Sequence, residues 1–225
     1  MKRIYLPLPL APGAALELPD EVQHRLRHVL RMGVGDRFEV FDGHGALGLA
    51  ELTDAKARRA SVVEMLPTPP PLPRLVLAVA LLKRDAWENV LRQATEMGVT
   101  EIVPLKTHYA QVGKMNESRA LAIMVEAAEQ CERVTLPTLA AVSRLEDFVA
   151  ELKTPCLWAF ERMEGEAERR NEAMDTVLIG PEGGFAPEEV AMLQAQPLLV
   201  PTSLGPTILR ADTAVVAALA RVCKW

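Results

Sequence analysis

The run Pro67-Thr68-Pro69-Pro70-Pro71-Leu72-Pro73 limits this chain's folding more than any other feature, with five prolines in seven residues. Proline lacks an amide donor and fixes φ, so the run can neither continue a helix nor sit inside a sheet. It reads as an extended, semi-rigid spacer dividing the 225 residues into parts of different rhythm. Residues 1–68 carry short apolar runs between glycine turns: Arg37–Phe41, then Asp42-Gly43-His44-Gly45, then Ala46–Leu52, then Ala60–Leu66. Asp-Gly between apolar runs marks a hairpin. One helix is expected from about Asp20 to Met32, with Asp20 as N-cap and Gly33 just past its end. This part reads as a small β-barrel module.

Residues 74–225 alternate strands with helices. Leu75–Leu82 is a continuous apolar run, suited to a strand buried on both faces. Asp85–Met97 repeats at helical spacing through Trp87, Val90, Leu91 and Ala94, and Gly98 ends it. Ile102–Leu105 follows as a strand, then a long helix over Glu117–Arg133. Ser143-Arg144-Leu145-Glu146 has the form of a capping box. Cys156–Phe160 and Val177–Ile179 are strand candidates; Pro187–Gln194 and Asp212–Val222 are helix candidates. Glu161–Asp175 is charged and aperiodic, and reads as a loop or a short solvated helix. The alternation predicts an α/β fold with an open, mostly parallel sheet and helices on both faces.

Apolar residues make up 49% of the chain and charged ones 24%, which supports a large core and excludes disorder. No apolar run reaches the roughly 18 residues a membrane span needs. Prolines break the apolar start, so neither a signal peptide nor an anchor is expected. Cys131, Cys156 and Cys223 are scattered, which fits reduced thiols in a cytoplasmic protein better than disulfides. The net charge of −5 excludes a wholly basic surface. Residues 1–72 hold nine basic and nine acidic groups, so the entire excess of acid lies beyond them. A polyanion is better served by the first part, or by one groove of the second.

Two glycine-proline loops follow strands near the C-terminus: Ile179-Gly180-Pro181-Glu182-Gly183-Gly184-Phe185 and Ser203-Leu204-Gly205-Pro206-Thr207-Ile208-Leu209-Arg210. Ligands of open α/β sheets sit at the carboxyl ends of the strands, where both loops fall. Neither the Walker pattern nor GxGxxG is present. Glu182 among the glycines would repel phosphate. It suits ribose hydroxyls, a base edge or a positive centre, all of which S-adenosylmethionine offers. A pair of tight strand-to-helix turns with no ligand accounts for the same residues about as well.

The strings IGPEGGF (179–185) and SLGPTILRADTA (203–214) resemble the last two signature loops of the SPOUT methyltransferases. More narrowly, the chain resembles the bacterial family that methylates N3 of a uridine in 16S ribosomal RNA. His28-Val29-Leu30-Arg31, Val34-Gly35-Asp36 and Phe41-Asp42-Gly43 look like that family's N-terminal domain. Lys83 with Gln93–Val99 resembles its "KATELGV" helix, and Ala127–Arg133 with Pro137 its "AAEQ…R…P" segment. The resemblance implies a PUA-like RNA-binding barrel over residues 1–68 and a SPOUT domain with a C-terminal trefoil knot over residues 74–225. It implies a homodimer, the cofactor S-adenosylmethionine, and uridine 1498 of 16S rRNA in the small ribosomal subunit as target. The cofactor would be held by Ile179, Gly180, Pro181, Glu182, Gly183, Gly184, Leu199, Ser203, Leu204, Gly205, Ile208, Leu209 and Ala214.

Uracil N3 bears a proton that must leave before or during attack, so such a site needs anion stabilisation or a base. Arg210 is the candidate for the first; Asp212 and Glu182 are the nearby carboxylates for the second. Asp212, at a helix start, equally suits capping. Arg25, Arg27, His28, Arg31, Lys83 and Arg210 are the candidate RNA contacts. His24, His28 and Arg31 fall on one face of the expected helix, and Lys56, Arg58 and Arg59 form a second basic group. A solvated helix face explains these charges as well. No third ligand joins His24 and His28, so no metal is expected. Aromatics are only 4%, which argues against reading RNA sequence by stacking on an aromatic platform. Thr207, Gln93, Ala211 and Asp212 depart from the family's arginine, lysine, threonine and glutamate. A SPOUT enzyme acting on another RNA site, or an RNA-binding assembly factor without activity, remain the alternatives.

Overall fold

The computed structural model describes residues 2–110, 115–160 and 174–223. Most of the stretch read as a charged loop, 161–175, lies outside them. The chain forms two compact units: residues through Pro71 together with Ala128–Leu136, and Leu72–Ala127 together with the residues from Pro137.

In the first unit β1 (Arg3–Tyr5), β2 (Ala15–Glu17), β3 (Arg37–Phe41), β4 (Leu47–Leu52) and β5 (Arg59–Met65) form a curled sheet in the order β1-β3-β4-β5-β2. Only β1–β3 is parallel. Alternate side chains such as Phe38, Val40, Ala60 and Val62 point into one core with Ile4, Leu16 and Leu26. Phe41 turns to the other face and packs with Leu47, Ala128 and Val134, so the segment 128–136 covers the β3–β4 hairpin. The hairpin turn is closed by Asp42, whose Oδ1 accepts the amides of His44 and Ala46 at 2.7 and 3.0 Å. Gly43 is required in that turn: its φ is +81°, and a Cβ would lie 2.9 Å from the Tyr5 ring.

The helix expected over 20–32 is shorter and of two kinds. Helix α1 (Asp20–His24) runs into a single π-helical turn, Arg25–Val29, and Pro19 rather than Asp20 is the N-cap. Arg31 sits in the left-handed region at φ +55°, so His24, His28 and Arg31 do not share a helical face. The cause is tertiary. Arg25 is drawn into an ion pair with Glu129, whose carboxylate is 7% exposed and also accepts the Tyr5 amide at 3.0 Å. Leu26 of the same turn is fully buried. Arg25→Ala leaves that buried carboxylate short of a partner, and should lower stability by about 1–3 kcal/mol in chemical denaturation. An unchanged midpoint would show the pair to be incidental.

The second unit holds β6 (Val76–Ala80), α2 (Arg84–Glu96), β7 (Glu101–Lys106), α3 (Glu117–Gln130, ending in the first unit), β8 (Thr138–Leu139), β9 (Ser143–Arg144) and α4 (Leu145–Ala150). Then come β10 (Cys156–Ala159), β11 (Thr176–Ile179), α5 (Pro187–Ala195), β12 (Leu199–Thr202) and α6 (Ala211–Val222). The strands are parallel in the order β12-β10-β11-β6-β7-β8, with β9 also on β7. Every residue of β6 is buried because helices cover both faces. Leu77 and Val79 pack with α2, α3 and α6; Ala78 packs with Leu145 and Val149 of α4 and Leu193 of α5. The capping box at Ser143 does not form: Ser143 and Arg144 extend as a strand against Leu105 and Lys106, and Arg144 is the N-cap of α4. The three thiols are free, and burial pushes that of Cys156 well above its usual range. No helix among the described residues is long and apolar enough to cross a membrane.

Candidate functional site

Because the large sheet is parallel, the loops after β6, β7, β10, β11 and β12 emerge at one edge. After β11 the chain makes a turn in which the Gly184 amide bonds the Pro181 carbonyl at 2.9 Å, with Gly184 at φ +72°. Gly180 is sterically fixed as glycine: a Cβ would lie 2.8 Å from the Phe185 ring. That ring meets buried Trp158 edge-on at 6.2 Å. After β12, the Ser203 hydroxyl and the main chain of Gly205 close a second turn. Arg210 is the N-cap of α6, with small Ala211 and Ala214 in the first turn behind it.

The two loops converge on one cavity of about 400 Å³. Its volume lies within the range of small-molecule sites, roughly 300–1,000 Å³. Its walls are mixed: apolar Ile179, Leu204 and Leu209, main chain at Gly180, Gly184 and Gly205, the Glu182 carboxylate, and Arg210 as its one cation among the described residues. Such walls suit a nucleoside-sized ligand that carries no phosphate. The Glu182 carboxylate on the wall disfavours a phosphate placed beside it.

Of the thirteen positions put forward from the sequence for cofactor contact, eleven line this cavity. Gly183 instead turns its backbone to Tyr109, and Leu199 is buried in β12 behind the loops. Arg210 lines the cavity and is exposed. Asp212 does not line it. One of its oxygens accepts the Thr213 amide at 2.9 Å, and the other accepts Asn89 Nδ2 on α2 at 3.3 Å. Asp212 is thus engaged in holding the start of α6 against α2. Sequence reasoning did not put forward Ala159, Phe160, Phe185, Val190, Thr207 and Ala211 as contacts, and all six line the cavity. Ala159 ends β10 and Phe160 follows it at the same carboxyl edge, which was the available signal.

The candidate RNA contacts are dispersed. Arg27, His28 and Arg31 are exposed in the first unit, and His24 lies 4.8 Å from His28, ring to ring. Arg25 is committed to Glu129. Arg58 and Arg59 both lean on Asp54, at 3.6 and 4.0 Å, while Lys56 is exposed. Lys83 is exposed at the N-cap of α2, on the carboxyl edge of the large sheet. Among the described residues no group of His, Cys, Asp and Glu could hold a metal.

Known proteins resemble this chain over nearly its whole length. Residues 68–223 match the RNA methyltransferase domain family, and residues 18–65 match the RNA methyltransferase PUA domain family. The ribosomal RNA small subunit methyltransferase E of Rickettsia conorii is 34% identical over 98% of this chain and 94% of its own. That of Synechocystis is 35% identical over 93% and 73%. A crystal structure of the ribosomal RNA small subunit methyltransferase E of Neisseria gonorrhoeae bound to S-adenosyl methionine superposes with a TM-score of 0.85 at 28% identity, covering 98% and 96%. With its two-loop cavity and this full-length likeness, the chain belongs to the RNA methyltransferase family that includes the ribosomal RNA small subunit methyltransferases E.

Proposed function

We propose that this protein methylates N3 of a uridine, uridine 1498 in the usual numbering, in the 16S rRNA of the small ribosomal subunit, with S-adenosylmethionine as donor. It would act in the cytoplasm as a homodimer. The observation that carries the reading is the convergence of the loops 180–185 and 203–210 on one cavity lined by both Glu182 and Arg210.

The residues present fit the donor. Gly180, Gly184 and Gly205 let an adenosyl group approach the main chain closely, Leu204 and Leu209 offer apolar walls, and Glu182 complements positive charge. Bound there, the donor supplies an electrophilic methyl group on sulfonium. The protein's own contribution is positional and electrostatic. Arg210 stands at the N-terminus of α6, where the helix dipole adds to its charge. It offsets the negative charge that uracil oxygens gain as N3 loses its proton. Glu182, the carboxylate on the cavity wall, would accept that proton; Asp212 does not line the cavity. Exposed Arg27, His28, Arg31, Lys56 and Lys83 would contact backbone phosphate.

The test is methyl incorporation into small-subunit particles or free 16S rRNA that lack the modification, followed by mass spectrometry of the nucleosides. 3-Methyluridine at the proposed position supports the reading. Another methylated nucleoside would move it to a different RNA site, and no incorporation despite cofactor binding would leave an RNA-binding assembly factor.

A further inference from the structure

Strand β7 ends at Lys106, and the loop after it carries His108 and Tyr109 along the same sheet edge as the cavity loops. Tyr109 is 45% exposed, and the loop that carries it is tied down at His108. Glu189, in the first turn of α5, accepts the His108 amide on one oxygen and the Ala186 amide on the other, both at 2.8 Å. A single carboxylate so ties the β7 loop to the end of the loop 180–186. The His108 ring meets Tyr109 edge-on, with centroids 4.7 Å apart and planes at 88°. Gly183 lies directly against it: a Cβ there would be 3.4 Å from the Cβ of Tyr109 and 3.7 Å from its Cγ. Glu182 and Gly184, on either side of Gly183, both line the cavity. The Tyr109 phenol has no hydrogen-bond partner among the described residues.

A flat, exposed ring fixed beside a nucleoside-sized cavity has the form of a stacking platform. A base that reacts on its pairing edge must first leave its own stack. An aromatic face offsets part of that cost and leaves the edge of the base free. We infer, resting on the reading of the protein as an RNA methyltransferase, that Tyr109 is a substrate-binding residue whose ring stacks on the extruded uracil. Glu189 anchors the backbone beside it, at His108.

The experiment uses the full-length protein and unmethylated small-subunit RNA. Tyr109→Leu should lower kcat/KM for RNA about tenfold, mainly through KM, while Tyr109→Phe stays near the wild type and both keep its S-adenosylmethionine affinity. RNA with 5-iodouridine at the target position should photocrosslink to the peptide holding Tyr109, and Tyr109→Leu should lose that product. Unchanged kcat/KM in Tyr109→Leu, an equal loss in Tyr109→Phe, a parallel loss of cofactor affinity, or a crosslink elsewhere would each overturn the assignment while the wild type still methylates RNA. A wild type that methylates no RNA overturns the enzymatic reading, and the platform with it.

Discussion

Replacing Arg210 by alanine should lower turnover on RNA by about 10²–10³-fold, the scale seen when a group that stabilises developing negative charge is removed. S-adenosylmethionine affinity should change little, because the cavity walls that would hold an adenosyl group are main chain and apolar side chains. Arg210 is exposed and lies outside the α6 helix proper, so its loss leaves no buried partner stranded. Single-turnover rates with saturating RNA and cofactor separate the two quantities. Arg210→Lys should recover part of the rate, since it keeps the charge and loses the fork of donors. A turnover within threefold of the wild type in Arg210→Ala would remove Arg210 from the chemistry.

Gly180→Ala is expected to damage the proposed cofactor site from beneath. The added methyl would begin 2.8 Å from one carbon of the Phe185 ring and 3.2 Å from two others. The ring cannot simply swing away, because its edge-on contact with fully buried Trp158 fixes it from behind. Overpacking of this kind costs about 1–3 kcal/mol. The loop 180–185 must shift to relieve it, and S-adenosylmethionine affinity should fall about tenfold or more by calorimetry, alongside a lower melting temperature. Affinity and melting both equal to the wild type would mean the ring yields freely.

Features set by local pattern were legible in the sequence. The unbroken apolar run 75–82 became a strand buried on both faces, and the glycine-proline strings became the two loops on one cavity. What local pattern could not convey was competition from distant residues. The serine and glutamate of Ser143–Glu146 satisfy a capping rule, but the open edge of β7 takes Ser143 and Arg144 as a strand. The periodicity of 20–32 suits an ordinary helix. A carboxylate more than a hundred residues away, on Glu129, engages Arg25 in the turn that is π-helical. The strands β1 and β2, three residues each among prolines and glycines, are too short to show a period of two. Asp212 read as either base or cap; Arg210 is the N-cap of α6 and Asp212 accepts Asn89 on α2, a distant contact that local pattern could not convey.

The return of residues 128–136 to the first unit has a consequence for how the protein is made. The N-terminal sheet is not a detachable cassette ending at the prolines. Until Leu136 is synthesised, roughly 3–13 s after Pro71 at about 5–20 residues per second, Phe41 and Leu47 lack the cover that Ala128 and Val134 later provide. A gene truncated after the proline run should yield a sticky, poorly soluble product, and a transplanted copy must carry the nine-residue return segment with it.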